Sequence, residues 1–250
     1  MEILAIINQK GGVGKSTTAL TIGAGLALKD FSVLYVDLDA QGNLSYTIGA
    51  NTQNYNAIGI LQKPETAKEE IQHTAQGDII ASSPALAGAD AVITETGKEY
   101  RLKEALDIIS GEYDYCVIDT PPALGILTIN ALTACNGVII PAQADIYSLQ
   151  GISQLNNTLQ TVKKYCNPDL SIMGIVLTRY NGRSIIRREV AEMLEQTAQR
   201  LNTKLYKVKI RECTALVEAQ AKKQNIFVYA PKSNATADYK KLIEEILGEE

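Results

Sequence analysis

Short apolar runs separated by polar turns set the rhythm of this chain. Ile3 to Ile7, Ser32 to Asp37, Asp78 to Ala81, Tyr115 to Asp119, Gly137 to Pro141 and Ile172 to Thr178 are apolar at consecutive rather than alternate positions. Runs of this length, rich in β-branched residues, read as strands buried on both faces. Between them the period changes. Tyr100 to Ile109 places Leu102, Ala105, Leu106 and Ile109 at helical spacing, and Ser16–Lys29, Ser148–Tyr165, Arg183–Leu201 and Thr236–Leu247 also read as helices. The first of these carries Gly23, Ala24, Gly25 and Ala27, small residues that suit close packing on a sheet. Lys204 to Lys209 adds a further strand. Asn51 to Gly77 is polar, with weak helical patterning around Ile58–Leu61 and Glu69–Ile71, and is expected at the periphery. Strands alternating with helices predict an α/β fold, a mostly parallel twisted sheet with helices on both faces in three layers. With no repeat, low-complexity segment or linker, the 250 residues are expected to form one domain, 1–250.

The first strand and first helix are joined by Lys10-Gly11-Gly12-Val13-Gly14-Lys15-Ser16-Thr17. Strand, glycine-rich turn and helix is the context of a phosphate-binding loop, so the fold predicted is that of a P-loop NTPase. Glycines let successive N–H groups point into one concavity, and the helix N-terminus adds partial positive charge. Lys15 would reach the β- and γ-phosphates, and the Ser16 hydroxyl would ligate Mg²⁺. The general pattern asks for glycine five residues before Gly14, where this chain has Gln9; instead it carries a second lysine, Lys10, at the head of the loop.

Two further strands end in carboxylates. Val33–Val36 runs into Asp37-Leu38-Asp39-Ala40-Gln41-Gly42-Asn43, and Cys116–Ile118 into Asp119-Thr120-Pro121-Pro122. In open α/β sheets ligands collect at this carboxyl edge. Asp119 looks like the Walker B carboxylate that holds a water on Mg²⁺. The paired prolines forbid helix until about Leu124. A carboxylate near the γ-phosphate can orient the attacking water. Asp39 is favoured for that task, and Asp37, the last strand residue, has a rival claim as a structural or metal-supporting group.

Composition removes several classes. No apolar run approaches the roughly 18 to 20 residues of a membrane-spanning helix, and a strand at the very N-terminus leaves no room for a signal peptide. Cys116, Cys135, Cys166 and Cys213 contain no C-x-x-C pair, which suits reduced thiols in a cytoplasmic protein. His73, the one histidine, lies in a polar stretch and reads as a surface residue. The net charge of −4 is unevenly spread: residues 1–162 hold 8 Lys/Arg against 17 Asp/Glu, and residues 163–241 hold 16 against 7. One basic region on an acidic protein can bind polyanions, or be no more than scattered solvated lysines.

Together Asn8–Thr18, Val36–Asn43, Val117–Ala131, Pro141–Leu159 and Gly174–Arg183 resemble the ParA-type partition ATPases of the ParA/MinD family, in the short form without an N-terminal DNA-binding domain. The resemblance implies an ATP-sandwich homodimer, active with ATP and Mg²⁺. Lys15 would bind phosphate in its own subunit, Lys10 would cross to the nucleotide of the other, Thr17 would contact the α-phosphate, Asp39 would position the water and Asp119 would support the metal. Gly11, Gly12, Val13 and Gly14 complete the cradle. It further implies slow hydrolysis stimulated by a ParB-type centromere-binding partner, non-specific binding of duplex DNA, and a cytoplasmic, nucleoid-associated protein that partitions a plasmid, mobile element or chromosome.

The chain departs from its relatives near 210–220. Where many carry Pro-Arg-Asn and a further arginine, it reads Ile210-Arg211-Glu212-Cys213-Thr214-Ala215. The expected DNA contacts are therefore Arg183, Arg187 and Arg188, with Lys207, Lys209 and Arg211. Three other readings compete. A MinD-like membrane-associated ATPase would end in a basic amphipathic helix; Tyr239–Leu247 alternates suitably, but Gly248-Glu249-Glu250 would repel anionic lipid, so no membrane is expected. An iron–sulfur relative would need two suitably placed cysteines, and only Cys135 falls near a plausible loop. A bacterial tyrosine kinase would cluster tyrosines on its tail, where only Tyr239 stands.

Overall fold

The computed structural model describes residues 1–53 and 56–249. Asn54 and Tyr55 of the polar segment, and Glu250 of the acidic tip, lie outside the described residues. Among the described residues eight strands form one sheet: β1 (Glu2–Ile6), β2 (Val33–Asp37), β3 (Ile71–Thr74), β4 (Gly77–Ile80), β5 (Tyr115–Asp119), β6 (Gly137–Ala142), β7 (Ser171–Tyr180) and β8 (Leu205–Arg211). The helices are α1 (Lys15–Ala27), α2 (Asn43–Ile48), α3 (Ala57–Gln62), α4 (Ala89–Val92), α5 (Arg101–Ile108), α6 (Ile126–Ala134), α7 (Ile146–Tyr165), α8 (Ile185–Arg200), α9 (Thr214–Ala221), α10 (Ile226–Tyr229) and α11 (Asn234–Leu247).

The order across the sheet is β3-β4-β2-β5-β1-β6-β7-β8. All neighbours are parallel except β3 with β4. From β1 the chain crosses to β2 on one side, and from β5 it crosses to β6 on the other. The two crossovers diverge over β1, which opens a crevice at its carboxyl end. Successive residues of each strand point to opposite faces, so Ile3, Ala5 and Ile7 pack in one core with α3, α5, α6, α7 and α8, while Leu4 and Ile6 pack in another with α1 and α11. This is why the central strands β1, β2, β5 and β6 are apolar at nearly every position, while the edge strands β3 and β8 carry exposed polar residues.

The small residues of α1 have a definite task. A Cβ added at Gly23 would sit 2.3 Å from the ring of Tyr35, which is fully buried and donates its hydroxyl to the carbonyl of Leu20 at 3.1 Å. Gly23→Ala should therefore force α1 off β2, at the roughly 1–3 kcal/mol of an overpacked core. At about 2–4 °C per kcal/mol for a chain of this size, the melting temperature should fall by about 5 °C. Thermal unfolding by circular dichroism checks this, and an unchanged midpoint would mean the ring can yield.

The polar segment differs from expectation. Around Ile58–Leu61 a helix does form, but Ile71–Thr74 is a strand, paired antiparallel to β4 with Thr74 opposite Gly77. Gly77 adopts φ 124°, a conformation open to glycine that lets the chain reverse at once. His73 lies on this edge, largely exposed, 2.8 Å from Asp78. In α11 the apolar face is spent internally: Tyr239, Leu242 and Ile243 are buried against α1 and the sheet. Cys116 and Cys135 are buried, and burial pushes the Cys135 thiol up to about 12. Among the described residues no helix is long and apolar enough to cross a membrane.

Candidate nucleotide site

The loop from Ile7 to Gly14 leaves β1 at the crevice and turns straight into α1. Gly12 (φ 75°) and Gly14 (φ 88°) take left-handed conformations that disfavour other residues, and a Cβ at either, or at Gly11, would point into open space. The cradle is thus bare backbone lining a cavity of about 790 Å³ with Lys15, Ser16, Thr17 and Asp39.

Three side chains brace it, one from the loop itself and two from the ends of later strands. Asn8, buried, donates to the carbonyl of Pro141 at 2.7 Å and accepts from the Lys10 N–H at 2.9 Å. Thr178 donates to the Val13 carbonyl at 2.7 Å, and Gln143 to the Gly12 carbonyl at 3.0 Å. The ends of β6 and β7 therefore hold the loop open. Sequence reasoning assigned no such role to Gln143 or Thr178, which lie more than 120 positions away along the chain.

The two lysines are placed differently. Lys15 is 7% exposed; burial lowers the pKa of its amine, opposed by the charges of Asp119 and Asp39. Lys10 stays at the mouth, half-exposed, with its amine paired to Asp145. Asp145 also caps α7, accepting from the Ser148 N–H at 3.1 Å, so a fixed carboxylate holds Lys10 outside the cradle.

The three aspartates also divide. Asp37 is fully buried and occupied: it accepts from the N–H and hydroxyl of Ser45 at 2.9 and 2.7 Å and from the Asp39 N–H at 3.1 Å. It thereby secures the first turn of α2, and burial lifts its pKa to about 6 despite those bonds. Asp39 lines the cavity, with one carboxylate oxygen accepting from the Gln41 N–H at 3.0 Å. Asp119 is wholly buried with both carboxylate oxygens lacking a hydrogen-bond partner. Burial, reinforced by Asp37, raises its pKa well above the usual carboxylate range; the nearby Ser16 hydroxyl and the Lys15 charge favour ionisation without completing a hydrogen bond to it. An orphaned buried carboxylate costs several kcal/mol unless a proton or cation satisfies it. Asp119 and Ser16 thus fit a hydrated divalent cation. Among the described residues no three His, Cys, Asp or Glu side chains form a metal cluster, so the remaining ligands would be water and phosphate.

The basic candidates differ in what engages them. Arg183 and Arg188 are exposed at the start of α8. Arg187 turns inward, donating to the Arg179 carbonyl at 3.0 Å, beside a smaller cavity of about 260 Å³ lined by Asp145, Arg179 and Glu212. Arg211 is engaged by Asp238 through two hydrogen bonds from its guanidinium, at 2.9 and 2.6 Å. Lys209 lies 4.8 Å over the ring of Tyr180, and Lys207 is exposed on β8. Since β8 is the edge of the sheet, its lysines also discourage pairing with another strand.

Comparison with known proteins adds the lineage. A family model described as an AAA domain matches residues 1–172. The sporulation initiation inhibitor protein Soj of Bacillus subtilis is 39% identical over 98% of both chains. The chromosome-partitioning ATPase Soj of Thermus thermophilus is 36% identical over 98% of this chain and 94% of its own. A crystal structure of cobyrinic acid a,c-diamide synthase from Mycobacterium smegmatis, with an ATP analogue and magnesium bound, superposes with a TM-score of 0.83 at 32% identity, covering 99% of this chain and 94% of that one. With a phosphate loop at the crevice of a P-loop sheet and whole-chain identity to Soj proteins, this chain belongs to the ParA/Soj family of partition ATPases.

Proposed function

We propose that the chain, acting as one unit over 1–250, is an Mg²⁺-dependent ATPase whose ATP-bound homodimer binds duplex DNA without sequence preference. In this reading it positions a plasmid, mobile element or chromosome on the nucleoid, in the cytoplasm, with a ParB-type partner that stimulates hydrolysis. The observation that carries it is the contrast between the lysines: Lys15 is buried in the cradle, while Lys10 is held at its mouth by Asp145, where a second subunit could meet it. Lys15 and the backbone N–H groups of Gly11 to Thr17 would bind the phosphates, Ser16 and Asp119 would hold Mg²⁺, and Asp39 would orient the attacking water. Mg²⁺ would supply charge neutralisation at the transferring phosphate.

The DNA arm rests on Arg183 and Arg188, exposed at the start of α8, with Lys207 on the edge strand. Each subunit offers few such bases, and dimerisation doubles them, so binding should depend on ATP without a rearrangement of the basic face. Retention on random-sequence duplex across a salt series tests this. ATP should support binding with a log–log salt slope of about −0.9 per phosphate neutralised, and ADP should not. The triple variant Arg183→Ala, Arg187→Ala, Arg188→Ala should flatten that slope. Equal affinity with ADP would contradict the switch, and an unchanged slope in the triple variant would place the DNA face elsewhere.

A further inference from the structure

We propose that Gln220, on α9, is a positioning residue of the nucleotide site that dictates the direction in which the Thr17 hydroxyl donates its hydrogen bond. The inference rests on reading the cavity as a nucleotide site and names a further residue of it. Gln220 Nε2 donates to Thr17 Oγ1 at 2.7 Å, joining two residues 203 positions apart. Both line the large cavity, as do Leu216 and Val217 of α9. Thr17 is the third residue of α1, facing the same concavity as the free N–H groups of the helix start.

The polarity of the contact gives it a function. An amide N–H only donates, so the Thr17 oxygen is the acceptor and its own proton is turned away from Gln220. That proton is then available to an acceptor-only group in the cradle, such as a phosphate oxygen. A carboxylate at position 220 would reverse the arrangement: Thr17 would donate to it, leaving a phosphate facing lone pairs and a negative charge. The same contact ties the wall of the cavity to the phosphate loop. Ala219 is the one fully buried residue of α9, with Ala215 and Leu216 partly buried against the core, and the Gln220 bond adds an attachment beside that of Glu218, which accepts from the Tyr229 hydroxyl at 3.1 Å.

The test is equilibrium binding of ADP with Mg²⁺ to the full chain. Gln220→Ala should raise the Kd about 3- to 10-fold, the worth of one neutral hydrogen bond, and Gln220→Glu should raise it at least about 30-fold, as a misdirected hydroxyl and a like charge combine. In a Thr17→Val background, Gln220→Ala should add less than about twofold, because the two residues act as one unit. In turnover assays the loss should appear in KM rather than kcat. One of the two ³¹P resonances of bound ADP should move in Gln220→Ala, which a purely structural role would not produce. Circular dichroism of each variant at the assay temperature confirms that it is folded. Gln220→Glu binding as well as Gln220→Ala, or an undiminished Gln220→Ala effect in the Thr17→Val background, would overturn the inference while leaving the nucleotide site intact. Failure of the wild-type chain to bind ADP or ATP at all would instead overturn the nucleotide reading, and this one with it.

Discussion

Asp39→Ala should retain ATP yet turn it over about 10²- to 10⁴-fold more slowly, and should accumulate as the ATP-bound dimer. Phosphoryl transfer to water asks the protein mainly for charge neutralisation and an oriented nucleophile. In the proposed reading neutralisation would come from Lys15 and a metal on Ser16 and Asp119, none of which this substitution removes. Orientation needs a carboxylate facing the cavity, and Asp37 is a poor candidate because Ser45 and the Asp39 N–H already occupy it. Asp37→Asn should instead loosen α2. Steady-state phosphate release and size-exclusion chromatography measure the two effects of Asp39→Ala. Hydrolysis within twofold of wild type would move the water to another group.

The second large effect separates the lysines. Lys15→Ala should weaken ATP binding at least about 100-fold, since each hydrogen bond to a charged group is worth about 1.5–3 kcal/mol and this amine is directed into the cradle. It also removes the cation facing Asp119 and Asp39, leaving two carboxylates around an unneutralised phosphate. Lys10→Ala removes a half-exposed pair with Asp145, whose own worth is about 0–1 kcal/mol. ATP binding by the monomer should therefore change by less than a few-fold, while dimer formation and hydrolysis should be impaired. A fluorescent ATP analogue titrated into both variants, at concentrations that keep them monomeric, reads the difference. Comparable losses of affinity would place Lys10 in its own subunit's cradle and end the role in trans.

What the sequence disclosed follows from what is local. The central strands were legible because burial on both faces makes them almost continuously apolar, and the phosphate loop because its glycines and Lys15 lie close together in sequence. Asp119 was legible as a strand-end carboxylate, but its lack of partners was not, since that depends on where Asp37, Ser16 and Lys15 converge. The helix α2 went unread because its start relies on Gly42 at φ 61° and on Asp37, eight residues before the Ser45 it holds. The strand β3 needs β4 to exist, and α9 buries too little to show an apolar stripe. The attachments of Lys10 to Asp145 and Gln220 to Thr17 join residues 135 and 203 positions apart, where no local pattern reaches. Arg211 read as a base available to DNA; in the fold its guanidinium is held by Asp238.

The central claim is that ATP, and not ADP, makes the dimer. Sedimentation equilibrium of the wild-type chain with a non-hydrolysable ATP analogue and Mg²⁺, with the same analogue and EDTA, and with ADP and Mg²⁺ tests it most directly. The account predicts twice the monomer mass in the first condition and the monomer mass in the other two. The same mass in all three would contradict it.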